Sequence, residues 1–148
     1  MSELSDDHEK LLRVLASHDV EFIVIGGVAA QLHGWRGATL DLDITVATTG
    51  KNVERLNAAL RKLKASHPMV GALGTAFRTK FGRLEVVGRA DGVGEYEDWA
   101  RRARRETIER GLSVDVADPE DVARSKEAAG RAKDIDALPQ LRTDLGLD

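Results

Sequence analysis

Two aspartates stand two residues apart in Thr39-Leu-Asp-Leu-Asp-Ile-Thr-Val46, where polar and apolar residues alternate without a break. In an extended chain Leu40, Leu42, Ile44 and Val46 fall on one face, and Thr39, Asp41, Asp43 and Thr45 on the other. Alternate strand residues lie ~6.6 Å apart at ~3.3 Å of rise each, so the Asp41 and Asp43 carboxylates can converge on one or two cations. Aspartate is unfavourable in strands and like charges on one face repel, a penalty that a divalent ion would turn into a ligand set. Hard oxygen donors suit Mg²⁺ or Mn²⁺. An open sheet face carrying two solvated acids has the same pattern, and the pair alone does not separate the two.

Further residues bear on the choice, each with a plainer reading beside it. Gly26-Gly27 follows an apolar run, where bare backbone N–H groups can approach a phosphate; a tight turn needs the same residues. Glu85, within Leu84-Glu-Val-Val87, is the obvious third carboxylate, or a rim residue at a sheet edge. Lys126, Arg131 and Lys133 surround the end of one expected helix, where cations balance phosphate charge or complement the helix dipole. Arg36, between the glycines and the acids, joins them or is a surface arginine. Each feature is ordinary alone; their order and spacing together are not, and they move the balance away from two solvated acids.

The elements that must position these residues alternate between helix and strand, which implies a single α/β (α+β) domain over 1–148. Asp7 to Ser17 reads as a helix with Leu11, Leu12 and Leu15 inward, and Glu21 to Ile25 as a central strand ended by Gly26-Gly27. A brief helix over Val28 to His33 precedes the alternating strand, and Asn52 to Lys64 forms a helix burying Val53, Leu56, Leu60 and Leu63. Glycines crowd at 71, 74, 82, 88, 92 and 94, bracketing strands over Ala76 to Lys80 and Arg83 to Val87. A charged helix is expected over Tyr96 to Glu106 and a strand over Leu112 to Val116. Asp118-Pro119-Glu120 starts a helix running to Ala129 and stopped by Gly130; a last helix begins near Asp134, kinked or shortened by Pro139.

The 148 residues carry 22 basic and 25 acidic side chains, a net charge of -3, so bulk charge marks neither a nucleic-acid coat nor a membrane-surface protein. No stretch approaches the ~18 apolar residues of a membrane span, and the acidic start from Met1 to Asp7 is unlike a secretory signal. Cysteine is absent, which excludes disulfides, Cys-based zinc sites and thiol nucleophiles. A cytoplasmic location is the expectation. The four histidines lack metal-like spacing and are read as structural.

Ile25-Gly-Gly-Val-Ala-Ala, Leu32-His-Gly, Arg36 and Thr39-Leu-Asp-Leu-Asp-Ile44 together resemble the signature of small nucleotidyltransferase-fold proteins of the AbiEii toxin and minimal nucleotidyltransferase type. Phe81-Gly82 with Leu84-Glu85 resembles the strand bringing their third carboxylate. Ala117 to Val122, followed by Lys126-Glu-Ala-Ala-Gly-Arg-Ala-Lys-Asp134 and Leu138, resembles their C-terminal lysine helix and the element after it. The likeness runs from about Phe22 to Leu141.

The resemblance implies a mixed sheet flanked by helices with a nucleoside triphosphate at the sheet face. Asp41 and Asp43 would ligate Mg²⁺ or Mn²⁺, and Glu85 would be a third ligand or the base for the attacking hydroxyl. Gly26 and Gly27 would bind the triphosphate with Arg36, Arg131 and Lys133 nearby; Lys126 would contact phosphate and Asp134 would order the basic element. It further implies transfer of a nucleoside monophosphate to a tRNA or protein acceptor, and a toxin–antitoxin role with a cognate antitoxin. Two departures stand out: Gly26-Gly27 replaces a common Gly-Ser, and Glu85 replaces a common Asp. An inactive nucleotide- or RNA-binding module of the same fold, or an interaction protein, fits the same residues. Arg101, Arg102, Arg104 and Arg105 track an RNA backbone or form a salt-bridged face with Glu97, Asp98, Glu106 and Glu109, and Trp35 and Trp99 stack on a base or fill the core.

Overall fold

The computed structural model describes residues 4–69 and 74–147; Gly71 of the glycine-rich stretch lies outside them. Helix α1 (Asp6–Ser17) starts where the Ser5 hydroxyl accepts the His8 N–H, with Asp6, Asp7 and Glu9 in the dipole-favoured first turn. Leu11, Leu12 and Leu15, at helical spacing, are wholly buried. Strand β1 (Phe22–Ile25) is buried at all four positions, as expected of a central strand covered on both faces.

Ile25 leads directly into α2 (Gly26–Leu32), so the glycine pair opens the helix rather than forming a turn before it. Gly26, at φ +65°, makes that change of direction in one residue, a conformation open to a residue without Cβ. Strand β2 (Leu42–Val46) is shorter than the alternating pattern suggested. Its pairing with β1 ends at Ile25↔Asp43, and its pairing with β4 (Gly82–Val86) begins at Leu42↔Leu84, so 39–41 has no ladder to join. Leu40, expected on the buried face, is consequently 90% exposed.

Helix α3 (Gly50–Lys62) is capped by the Thr49 hydroxyl and buries Leu56 and Leu60; Leu63 is buried just beyond it, while Val53 is half-buried. Strand β3 (Thr75–Thr79) forms a hairpin with β4 through Lys80-Phe81. The expected charged helix is cut short: α4 (Tyr96–Ala100) ends early, and Arg104–Glu109 is strand β5, paired with β6 (Leu112–Val116) through an Arg110-Gly111 turn. Arg104 and Arg105 of β5 pair with Asp118 and Asp115, and Arg102, just before the strand, with Asp121. Helix α5 (Pro119–Ala129) has Asp118 as its cap and left-handed Gly130 at its end. Helix α6 (Ala132–Asp144) carries Pro139 inside it and still runs to Asp144, so the proline does not shorten it.

The six strands form one mixed sheet in the order β3-β4-β2-β1-β6-β5. β1 runs antiparallel to β2 and parallel to β6; β2 runs parallel to β4. Leu42, Ile44 and Val46 of β2 join Leu84 and Val86 of β4 in the core. Asp43 and Glu85, one step out of phase, project to the opposite face. There α2 packs on β1 and β2, with α5 against α2 and α6 against α5.

Candidate active site

Parallel pairing of β2 with β4 sets Asp43 directly beside Glu85, and on its other flank the antiparallel register sets it beside Ile25, the residue before Gly26. A Cβ built on Gly26 would run into the Asp43 carboxylate, and one on Gly27 would lie 2.7 Å from Cβ and Oγ1 of Thr39. The glycines thus let the start of α2 close over the acids. Burial, then the charge of Glu85, then that of Asp41, push the Asp43 carboxyl from 3.8 up to about 7, against the opposing pull of Lys126 and Arg83. Asp41 lies just before β2 and pairs with Arg83 Nε at 3.4 Å.

Cations face these acids from the α5–α6 junction. Val122, Ser125, Lys126 and Ala129 fall at i, i+3, i+4 and i+7 on one face of α5, and all four line a cavity of about 540 Å³. Gly26, Gly27, Asp41, Asp43, Glu85, Arg131 and Lys133 line the same cavity. Asp134, 2% exposed, accepts from Arg131 Nε at 2.6 Å and lies 3.7 Å from Lys126 Nζ. Burial pushes the Asp134 carboxyl up, but the Arg131 hydrogen bond and the charges of Lys126, Arg131 and Lys133 hold it below the ordinary value. It therefore stays ionised behind the wall and orders two of the cations at the cavity surface.

Some expected residues lie elsewhere. Arg36 is exposed and does not line the cavity; its main-chain N–H donates to Asp144 Oδ2 at 3.2 Å. The arginines of 101–105 do not share a helix. Arg102, Arg104 and Arg105 pair with Asp121, Asp118 and Asp115 at 2.5, 2.9 and 3.4 Å, and Arg101 with Asp98 at 3.5 Å. They are salt-bridged, but of the expected acids Asp98 alone takes part, the other partners coming from β6 and the start of α5. Trp99 is 1% exposed and belongs to the core, whereas Trp35 lines the cavity. Each histidine ring bonds a main-chain carbonyl: His8 to Leu40, His18 to Val14, His33 to Ala117 and His67 to Pro68 and Ala76. Sequence reasoning passed over Ser125 and Arg83; the i, i+3, i+4 spacing around Lys126 and the two-residue step from Arg83 to Glu85 would have found them.

The oxygen donors suit a hard divalent cation, because a positive ion would relieve the unfavourable ionisation of Asp43, to which no donor hydrogen-bonds among the described residues. Asp43 and Glu85 are the residues that could hold it, with Asp41 as a third donor on leaving Arg83. Among the described residues no three such side chains are already gathered as a cage.

No family model and no curated protein matches the chain. Solved structures do. The antibiotic-resistance factor ANT(2'')-Ia, crystallised with adenylyl-2''-tobramycin, aligns over 93% of this chain and 87% of its own, at 18% identity and a TM-score of 0.65. Its solution structure aligns over 95% and 83%, at 17% identity and a TM-score of 0.64. A proposed nucleotidyltransferase from Thermotoga maritima aligns over 96% of both chains, at 16% identity and a TM-score of 0.59. With the mixed sheet and the helices over it, these likenesses show that the chain has the nucleotidyltransferase fold.

Proposed function

We propose that this protein is a metal-dependent nucleotidyltransferase that moves a nucleoside monophosphate from a nucleoside triphosphate to an acceptor hydroxyl. The observation that carries the reading is one cavity of this fold with Asp41, Asp43 and Glu85 facing Lys126, Arg131 and Lys133. Lys126, Arg131 and Lys133 balance the triphosphate charge, and the glycine-opened start of α2 lets a phosphate approach the main chain. Asp43 and Glu85, with Asp41, hold Mg²⁺ or Mn²⁺. The bound ion supplies neutralisation of charge developing on the transferred group. The acceptor oxygen forms its bond to the α-phosphorus as the bond to pyrophosphate breaks, and the hydroxyl proton passes to Glu85 where that carboxylate serves as the base instead of as a metal ligand. Most of the rate gain comes from holding the two reactants in line.

The AbiEii-type resemblance supports a tRNA or protein acceptor and a toxin–antitoxin setting with a cognate antitoxin. The internally paired arginines of 101–105 add nothing to an RNA reading. ANT(2'')-Ia holds an adenylylated aminoglycoside, so a small polyhydroxylated acceptor belongs in the same test. That test supplies α-labelled nucleoside triphosphate and Mg²⁺ to the protein with tRNA, candidate partner proteins and aminoglycosides. Labelled acceptor should appear with the wild type and vanish with Asp43→Ala; wild-type labelling by Asp43→Ala defeats the reading. The Asp41–Arg83 ion pair favours a second reading, a module that binds nucleotide without turnover. Calorimetric binding with no pyrophosphate released would establish it.

A further inference from the structure

Trp35 is a half-buried aromatic in the wall of the acid–cation cavity, in the loop between α2 and the acids. Its main-chain N–H donates to Ala30 O at 2.9 Å, which ties it to α2. Gly37 lies so close against the indole that a Cβ there would collide with the six-membered ring. One side of the plate is therefore fixed by main chain. The Lys126 ammonium, lining the same cavity, stands over the ring at 5.5 Å from its centroid. Among the described residues no protein ring stacks on Trp35.

From this geometry we infer that Trp35 is the nucleobase platform: the base of a nucleoside triphosphate stacks on the indole while Lys126 turns from the ring to the phosphates. The inference rests on the nucleotide reading above and adds the group that holds the base. Lys126 joins the two halves of the ligand, being placed 5.5 Å from the indole centroid and 3.7 Å from Asp134. Stacking engages the π-face that every base has, so the platform binds all four nucleotides, purines more tightly than pyrimidines for their larger rings. A residue holding only phosphate would not distinguish a nucleotide from a bare phosphate chain.

Calorimetric titration with Mg²⁺ and either ATP or inorganic tripolyphosphate, on wild type, Trp35→Ala and Trp35→Phe, tests the inference. The wild type should bind ATP more tightly than tripolyphosphate. Trp35→Ala should lose about tenfold or more in ATP affinity with tripolyphosphate unchanged, and Trp35→Phe should keep most of the ATP affinity. Unchanged ATP affinity in Trp35→Ala overturns the inference. So does an equal loss for both ligands, which would mean that Trp35 acts through Lys126. If the wild type binds neither ligand, the nucleotide reading itself fails and takes this inference with it. Should Trp35→Ala not fold, wild-type tryptophan emission decides: Trp35 faces the cavity while Trp99 is 1% exposed, so ATP should quench it and tripolyphosphate should not. Equal effects of the two ligands overturn the platform.

Discussion

Asp43→Asn should make the metal-free protein more stable at neutral and alkaline pH while abolishing the proposed transfer. The Asp43 carboxyl sits at about 7 in the folded protein against 3.8 ordinarily, because burial and the Glu85 and Asp41 charges oppose its ionisation. The folded state therefore holds a proton that the unfolded chain has released between those two values. Its stabilising effect is complete below pH 3.8, declines as pH rises, and is lost above about pH 7. At about 1.36 kcal/mol per pH unit, the full gap is worth about 4 kcal/mol, and screening by water at the cavity mouth leaves about 2–4 kcal/mol. Urea unfolding in EDTA, followed by circular dichroism from pH 4 to 9, should show Asp43→Asn level with wild type at pH 4 and more stable by that amount at pH 8. Adding Mg²⁺ or Mn²⁺ should restore the wild type and do much less for the variant. A variant no more stable than wild type at pH 8, or equally stabilised at both ends, would refute the electrostatic account.

Glu85→Gln removes the stronger of the two repulsions on Asp43 and should move the pH at which stability declines toward the ordinary carboxyl range, read from the same titration. Gly27→Ala should lower the melting temperature, because the new Cβ meets Thr39 at 2.7 Å, and Thr39→Gly should restore part of the loss. Arg104→Ala removes a partner of Asp118, whose carboxyl burial pushes up but the Arg104 and Glu120 hydrogen bonds and the Arg102 and Arg104 charges hold low. The variant should melt earlier with nucleotide affinity unchanged; a selective loss of tRNA binding would reassign that arginine.

Helix ends were legible where the chemistry is local. The Asp118 cap, Pro119 and the left-handed Gly130 bound α5 where their residue types put them, since each acts within one turn. The Asp41–Asp43 alternation carried only part of its meaning. Whether Leu40 is buried depends on how far β1 and β4 extend beside it, and that is set by residues distant in sequence. Strand β5 was hidden for another reason: Arg104 to Glu109 is charged because it lies at a sheet edge, and charge-rich edges have no core-facing period to read. Arg110-Gly111 before Leu112 was the one local sign of a hairpin. Of the site, the carboxylates and cations could be picked out by type, whereas the exclusion of Arg36 follows from the course of a loop no pattern specifies.

The interlock of Asp43 with Ile25 and Glu85 also governs how the protein can fail. Sliding β2 by one residue would withdraw the carboxylates and, in the same movement, turn Leu42, Ile44 and Val46 toward water. The alignment of the acids is thereby inherited from the packing of the core, so gentle warming or dilute denaturant should leave the proposed nucleotide affinity on a plateau until the whole molecule melts in one cooperative step.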